Sequence, residues 1–382
     1  MIIKSLSAHK VLDSRKEPTI EVSVNSQKAS SPSGKSTGKY ETSSYHSSLE
    51  WNIKAINKLS IPFEINSFHD LSKVEKLIKN QFRLKNAKQF GANALFALES
   101  AILKALAKEK KQELWELINP KAKRMPVPVG NAIGGGLHSH LKNHPIFQEF
   151  LIIPKRKSIF GNVKAMQSVY DELSEITRVK KVNDEGALET NYEEEAILKV
   201  LSKYKKEVNL GVDIAASSFF RNNKYNYNDK TLLRQEQIDY VNELIKKYNL
   251  FYVEDPLNEE DFSGFSEISS NRNSRALVLI VGDDLTATHI SRVKKAVKIK
   301  SINAIIIKPN QNGSLLELAE IIKFCKKHKI KTILSHRSGE TLDNALADYA
   351  FAFQCDFIKC GIATKWREVK LKRLIEIEKS LK

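Results

Sequence analysis

Cysteine is scarce. Cys325, Cys355 and Cys360 form no CxxC pair and no disulfide framework, which fits a reducing compartment. No apolar run approaches the ~18 residues of a membrane-crossing helix, and the opening Met1-Ile-Ile-Lys4 has no secretory h-region. A soluble, cytoplasmic protein without a membrane partner is expected. Acidic residues are also short: 45 Asp and Glu against 62 Lys and Arg leave a net charge of +17. That sign favours anionic contacts, from phosphorylated small molecules to nucleic acid or an acidic partner. The lysines are scattered in the manner of solvated helix faces, and no basic patch interleaved with aromatics stands out, so nucleic acid is not an expected partner. There is no low-complexity linker.

The chain has 382 residues, enough for one barrel of about 250 residues and a further domain. Its second half carries a series of apolar runs, each ending in a polar residue. They are Leu210–Asp213, Leu250–Asp255, Leu277–Asp284, Ile302–Lys308 and Thr332–Arg337. Apolar on both parities and rich in β-branched residues, they read as strands buried on both faces, hence a parallel sheet. Helix-period segments lie between them at Leu232–Tyr248, His289–Ala296, Ser314–Lys327 and Thr341–Ala352. This alternation predicts right-handed βαβ units closing into a barrel whose strand ends bear the chemistry. Phe147–Pro154 reads as the first barrel strand and Asp356–Lys359 as the last, with a terminal helix over Lys365–Leu381. Upstream, residues 2–25 predict two strands around a turn, 30–44 a Ser- and Gly-rich loop, and Gly91–Lys110 a helix with one apolar stripe. Met125-Pro-Val-Pro128 breaks the helical pattern and marks a boundary between domains 1–125 and 126–382.

Asp213, Glu254 and Asp283 each end a buried strand, which brings three carboxylates to one mouth. They would repel one another unless a cation neutralised them, and an all-oxygen set suits Mg²⁺. The alternative is that each merely caps a following helix. Lys308 ends the most apolar strand; burial and cationic neighbours would lower its pKa and make it a general base. Its alternative, like that of Lys359, is a structural ion pair. Glu149 and Glu185 read as an acid and its partner, or as structural carboxylates. Ser335–Thr341 is expected to open a helix whose amide groups, with the Arg337 fork and the Ser338 hydroxyl, seat a phosphate. Ser33–Gly38 lacks the upstream glycine of a P-loop and reads as an inert loop or a lid. His138, His140 and His144 match no common zinc spacing.

In this order the motifs resemble the enolase (phosphopyruvate hydratase) family, almost end to end. The matches include Leu12-Asp-Ser-Arg15, Ser36-Thr-Gly38, Gly91-Ala-Asn-Ala94, Gln148-Glu-Phe150, Asp184-Glu-Gly186, Glu254-Asp-Pro256, Gly282-Asp-Asp-Leu-Thr286 and Ser335-His-Arg-Ser-Gly-Glu-Thr341. The resemblance implies an α/β fold: a modified (β/α)8 TIM-type barrel capped by a smaller α+β N-terminal domain. It implies reversible dehydration of 2-phosphoglycerate to phosphoenolpyruvate with two Mg²⁺. Lys308 would be the base and Glu185 the acid, with Glu149 in its network. Asp213, Glu254 and Asp283 would hold the first Mg²⁺, and Ser36 would join the second. Arg337 and Ser338 would bind phosphate and Lys359 the carboxylate end. Gln148, His138 and His336 would line the pocket.

Some positions depart from the family pattern. Ala187-Leu-Glu-Thr190-Asn191 replaces a usual Gly and Ala-Pro run, and an Ala that resists φ > 0 would stiffen the acid-bearing loop. The segment from His138 to Gln148 looks longer than usual, Ser218 stands where Glu is common, and Lys16-Glu17 replaces Gly-Asn. Glu376 falls where an Arg commonly meets a Glu, here Glu21, across the family dimer, so a homo-oligomer is expected without that contact. Two other readings stay open: a paralogue acting on another 2-hydroxy or phospho acid, and an anion- or partner-binding protein of low activity, with Lys382 as a weak hint of the latter.

Overall fold

The computed structural model describes residues 1–35, 38–177, 181–270 and 278–381. Ser36, Leu277 and Lys382, named above, lie outside these residues. A three-stranded antiparallel meander opens the chain: Leu6–Leu12, Pro18–Val24 and Gln27–Ser30. The third of these strands fills the stretch between the two expected strands and the loop expected from residue 30, where no element was assigned. Helix Ala92–Lys110 packs across the meander. Its predicted stripe is buried throughout, and so are Leu95 and Leu103, because the helix is covered on more than one side.

The rest is a closed barrel of eight strands: Val127–Gly134, Glu149–Pro154, Val208–Asp213, Tyr252–Glu254, Leu279–Gly282, Ala304–Ile307, Lys331–Ser335 and Phe357–Lys359. The last pairs with the first, Lys359 opposite Val129, and closes the ring. The runs are apolar on both parities for a visible reason. One parity (Val129, Leu151, Ile153, Tyr252, Leu279, Val281, Ile306 and Ile333) fills the barrel interior, while Ile152, Val253, Ile280 and Ile305 join the larger core.

Three expectations need correction. Phe147–Pro154 covers the second strand and not the first, because Val127–Gly134 precedes it. The sheet is also not wholly parallel: Glu149–Pro154 runs antiparallel to both neighbours. Its start therefore lies at the mouth where the other strands end, which is how Glu149 comes to stand opposite Asp213. The helix expected from Thr341 begins only at Ala345, and Phe262–Ser270 is a helix that the apolar pattern did not single out. Among the described residues, no helix is long and apolar enough to cross a membrane.

Candidate active site

Strand register assembles the site. Asp213 pairs with both Glu149 and Glu254, and Ser335 pairs with Lys359, so neighbouring strands deliver these side chains to one level. Lys308 and His336 follow directly on Ile307 and Ser335. One cavity at this mouth is lined by His138, Gln148, Glu149, Glu185, Asp213, Asp283, Lys308, His336, Arg337, Ser338 and Lys359. Glu254 is fully buried behind that wall and joins the cluster through Lys359. Gly34, Gly38, Lys39 and Glu41 reach the cavity from the other side, so the loop that flanks Ser36 faces the strand ends.

The charges are tightly interlocked. The Lys359 ammonium lies 2.7 Å from Glu149, 2.9 Å from Glu254 and 3.2 Å from Asp213. Burial works against its charge, but these carboxylates hold its pKa well above the ordinary range. Burial, reinforced by the charge of Asp213, pushes Glu254 up to about 8. Burial also raises Asp213, although Lys359 opposes it. Lys308 contradicts the expectation of a lowered pKa. Burial does act downward, but the Nζ donates to the Asp283 carboxylate, and this ion pair raises the lysine and keeps it protonated. Asp283 is correspondingly lowered, Lys308 overcoming the effect of burial.

Glu149 and Glu185 form a buried carboxyl pair. Burial, and then the charge of Glu185, raises Glu149 well above the carboxylate range. Burial resists ionisation of Glu185 too, yet the hydrogen bond with Glu149 and the Arg367 guanidinium hold it well below that range. The two carboxyls are thus pushed in opposite directions, Glu149 toward the protonated form and Glu185 toward the ionised one. Burial lowers His138 and His336, leaving neutral rings. Among the described residues, neither His336 ring nitrogen, nor Nδ1 of His138, has a hydrogen-bond partner, which leaves polar atoms beside a polar cavity.

The segment after Ser335 differs from the expected helix start. Its amides are already used: His336 N–H donates to Lys359 O, Arg337 N–H to Glu340, and Gly339 N–H to Ser33 O. No helix N-terminus points at the cavity here. Arg337 instead brings its guanidinium, held by Asn310 at 3.2 Å and Glu41 at 3.0 Å, and the Ser338 hydroxyl accepts from Lys35 N–H at 2.8 Å.

Sequence reasoning missed the groups that steady these side chains. The Asp255 carboxylate accepts from the amides of Asp283 (3.0 Å) and Asp284 (2.6 Å). Burial and the charge of Asp283 push the pocket-lining Asp284 up to about 7. Both lie inside quoted motifs, Glu254-Asp-Pro256 and Gly282-Asp-Asp, which was the available signal. Asn183 Oδ1 accepts from the amides of Glu185 and Ala187, each at 3.0 Å, and shapes the acid-bearing turn. Within that turn Gly186 takes φ +80°, while Ala187 lies outside the left-handed region and carries no such strain. The three histidines separate: His138 enters the cavity, His140 meets Asp184 and Glu189, and His144 Nδ1 meets Pro145 O.

A closed barrel whose strand ends bring acids, lysines and neutral histidines to one cavity, beneath an N-terminal cap, is the build of a barrel enzyme. Comparison with known proteins narrows the class. Residues 3–118 match the family "Enolase, N-terminal domain" and residues 122–382 match "Enolase, C-terminal TIM barrel domain". The enolase of Picrophilus torridus is 34% identical over 404 residues, covering 99% of each chain. Those of Archaeoglobus fulgidus and Ehrlichia ruminantium (strain Gardel) are also 34% identical, covering 99% of this chain and 97% and 96% of their own. The chain belongs to the enolase family and is a carbon–oxygen lyase.

Proposed function

We propose that this chain reversibly dehydrates 2-phosphoglycerate to phosphoenolpyruvate, with Lys308 as base and Glu185 as acid. The observation that carries the reading is that Lys308 and the Glu149–Glu185 pair line one cavity, which Arg337 and Ser338 also line. Lys308 takes the C2 proton, the C2–C3 double bond forms, and the C3 hydroxyl leaves as water with a proton from Glu185. Glu149, whose side chain is hydrogen-bonded to Glu185 and is pushed toward the protonated form, is placed to resupply that proton. Arg337 supplies a planar fork for the phosphate beside Ser338, and Gln148, His138, His336 and Lys359 line the rest.

The donor set fits Mg²⁺. Asp213, Glu254 and Asp283 are buried carboxylates too crowded to ionise independently, and two ammonium groups stand against them. Among the described residues no such cluster is closed around a single point, because Lys359 and Lys308 lie between its members. Bound there, the cation supplies Lewis-acid stabilisation of the charge that develops on the substrate carboxylate. Asp283, as one of the residues that would hold the cation, would then give up its ion pair with Lys308, which would favour the neutral amine that proton abstraction needs. Two ions per site, the second reached by Ser36, complete the proposal.

The reading includes a cytoplasmic location, a cap over 1–125, a catalytic domain over 126–382 and a homo-oligomer. The usual dimer residues have partners within this chain: Glu376 lies 3.3 Å from Arg373, and Glu21 lies 3.1 Å from Lys28. Sedimentation velocity reads the association state. The functional test is turnover of 2-phosphoglycerate, followed by ultraviolet absorbance of the enol product with Mg²⁺ and then with chelator. Mg²⁺-dependent product from the parent, lost in folded Lys308→Ala, is the expected result. No product from folded, Mg²⁺-supplied protein would overturn the reading and direct attention to other 2-hydroxy or phospho acids.

A further inference from the structure

Glu189 belongs to the short run that departs from the family's usual Gly and Ala-Pro. Its side chain is not a surface charge: the residue is 1% exposed, on the two-residue strand Leu188–Glu189 that pairs with Ile133–Gly134 at the barrel mouth. Its Oε1 accepts from the His140 amide and from the Ser139 hydroxyl at 3.1 Å, and His140 Nδ1 lies 3.4 Å away. Across the same ring, His140 Nε2 meets Asp184 Oδ1 at 3.2 Å. The other Asp184 oxygen takes the Lys35 ammonium at 2.7 Å. A continuous polar chain therefore runs from Glu189 through His140 to Asp184 and Lys35. One end grips the segment just after His138, and the other grips the residue just before Glu185.

We infer that Glu189 is a positioning residue for the reaction, acting through the His138–His140 segment and, by way of His140, on the turn that carries Glu185. The physical case rests on two loops with little regular structure. The 139–147 segment has neither helix nor strand, and the Asn183–Gly186 turn is held by Asn183 from within. A buried carboxylate that receives an amide and a hydroxyl from one loop, and meets a ring that touches the other, fixes their separation. A neutral side chain without an acceptor at position 189 would leave the part-buried His140 amide bond unmade and the two loops coupled only through solvent. The inference rests on the reading that makes Glu185 and His138 part of the active site.

The experiment compares the parent with Glu189→Ala, Glu189→Gln and His140→Ala in the full chain, by steady-state kinetics and by amide hydrogen exchange over residues 138–141 and 183–187. Gln keeps an acceptor for the His140 amide. Glu189→Ala is expected to lose ~10-fold or more in kcat with KM within about 3-fold, and Glu189→Gln to return kcat to within about 3-fold of the parent. His140→Ala, an exposed ring, is expected to cost less, and to add nothing to Glu189→Ala in the double variant. Exchange in both segments should quicken in Glu189→Ala and not in Glu189→Gln. A folded Glu189→Ala with parental kcat and parental exchange would overturn the inference, as would a Gln variant no better than Ala. A parent without turnover would sink the functional reading, and the exchange comparison alone would then decide whether Glu189 orders these loops.

Discussion

Arg367, on the terminal helix Lys365–Ser380, offers the sharpest test of how the site is held. The residue is 1% exposed, and its guanidinium donates to four main-chain carbonyls: Ser338 O at 2.8 Å, Arg337 O at 3.1 Å, Asp184 O at 3.3 Å and Glu185 O at 3.4 Å. Two of these belong to the phosphate-side segment and two to the acid-bearing turn, so one side chain braces both. Replacement by Leu removes all four donors, although Ser338 O keeps the Ser14 hydroxyl at 3.3 Å. The two longer contacts are near the limit of a hydrogen bond and are worth little. Loss at Arg337 O orphans a buried acceptor at about 1–3 kcal/mol, and loss of one of two donors at Ser338 O costs about 0.5–1.5 kcal/mol, which sums to about 1.5–4.5 kcal/mol. A domain with ~5–15 kcal/mol in hand survives most of that range, so folded Arg367→Leu with a lower denaturant midpoint is expected. Turnover should fall further than stability suggests, ~100-fold, because both loops lose their common strut. Arg367→Lys has its donors on one nitrogen and reaches one loop and not both; it should recover about half of the lost stability. Urea titration and initial rates on the three proteins read all of this. A Leu variant within about 0.5 kcal/mol of the parent, with unchanged kcat, would refute the bracing argument.

Other predictions follow from separate contacts. Glu99 is buried in helix Ala92–Lys110 and accepts from Leu315 N–H at 2.7 Å; burial, and then the charge of Glu75, raise its pKa well above 4.5. A raised carboxyl favours folding while protonated, so stability falls as pH rises from 4.5 through the folded value. Urea titrations over pH should show Glu99→Gln gaining on the parent as pH rises, and parallel profiles would reject this. Asp343 is lowered, with Lys104 at 2.7 Å and two amides outweighing burial, so its contribution is present above 3.8 and is lost as pH falls below it. Lys104→Met should cost about 1.5–3 kcal/mol at neutral pH and flatten the acid limb of the unfolding curve. At Gly134 an added Cβ would lie 2.1 Å from Asn183 Nδ2, so Gly134→Ala must displace the side chain that shapes the Glu185 turn. A ~10-fold or larger fall in kcat is expected in folded protein, and a fully active Ala variant would show that Asn183 does not set that turn.

The barrel was legible because its strands are buried on both faces, which leaves a pattern that no surface element imitates. The residues that end those runs were legible for the same reason: a polar side chain after an apolar run marks the mouth. Val127–Gly134 escaped notice because Pro128, Gly130 and Gly134 give it poor strand propensity, yet its pairing with Phe357–Lys359 closes the ring. The direction of Glu149–Pro154 was also hidden, since alternation and burial are the same for a strand read either way.

The supports were least legible of all, and the reason is physical. Arg367 lies on a helix whose charged pattern places it in water, and only the carbonyls of two distant loops make its burial favourable. Glu189 looks like one more acid among many until Leu188–Glu189 pairs with the barrel and turns the carboxylate inward. Lys308 shows the same limit in its charge state. Its strand-end position was visible, but its pKa is decided by Asp283 on a neighbouring strand, and this contact reverses the direction that burial alone gives. Chemistry-bearing side chains are thus found by where a strand stops, whereas their protonation and aim depend on partners remote in sequence. That division predicts where relatives with the same site residues will differ in rate: at the positions equivalent to 186–190 and 139–147, which aim those residues without ending any barrel strand.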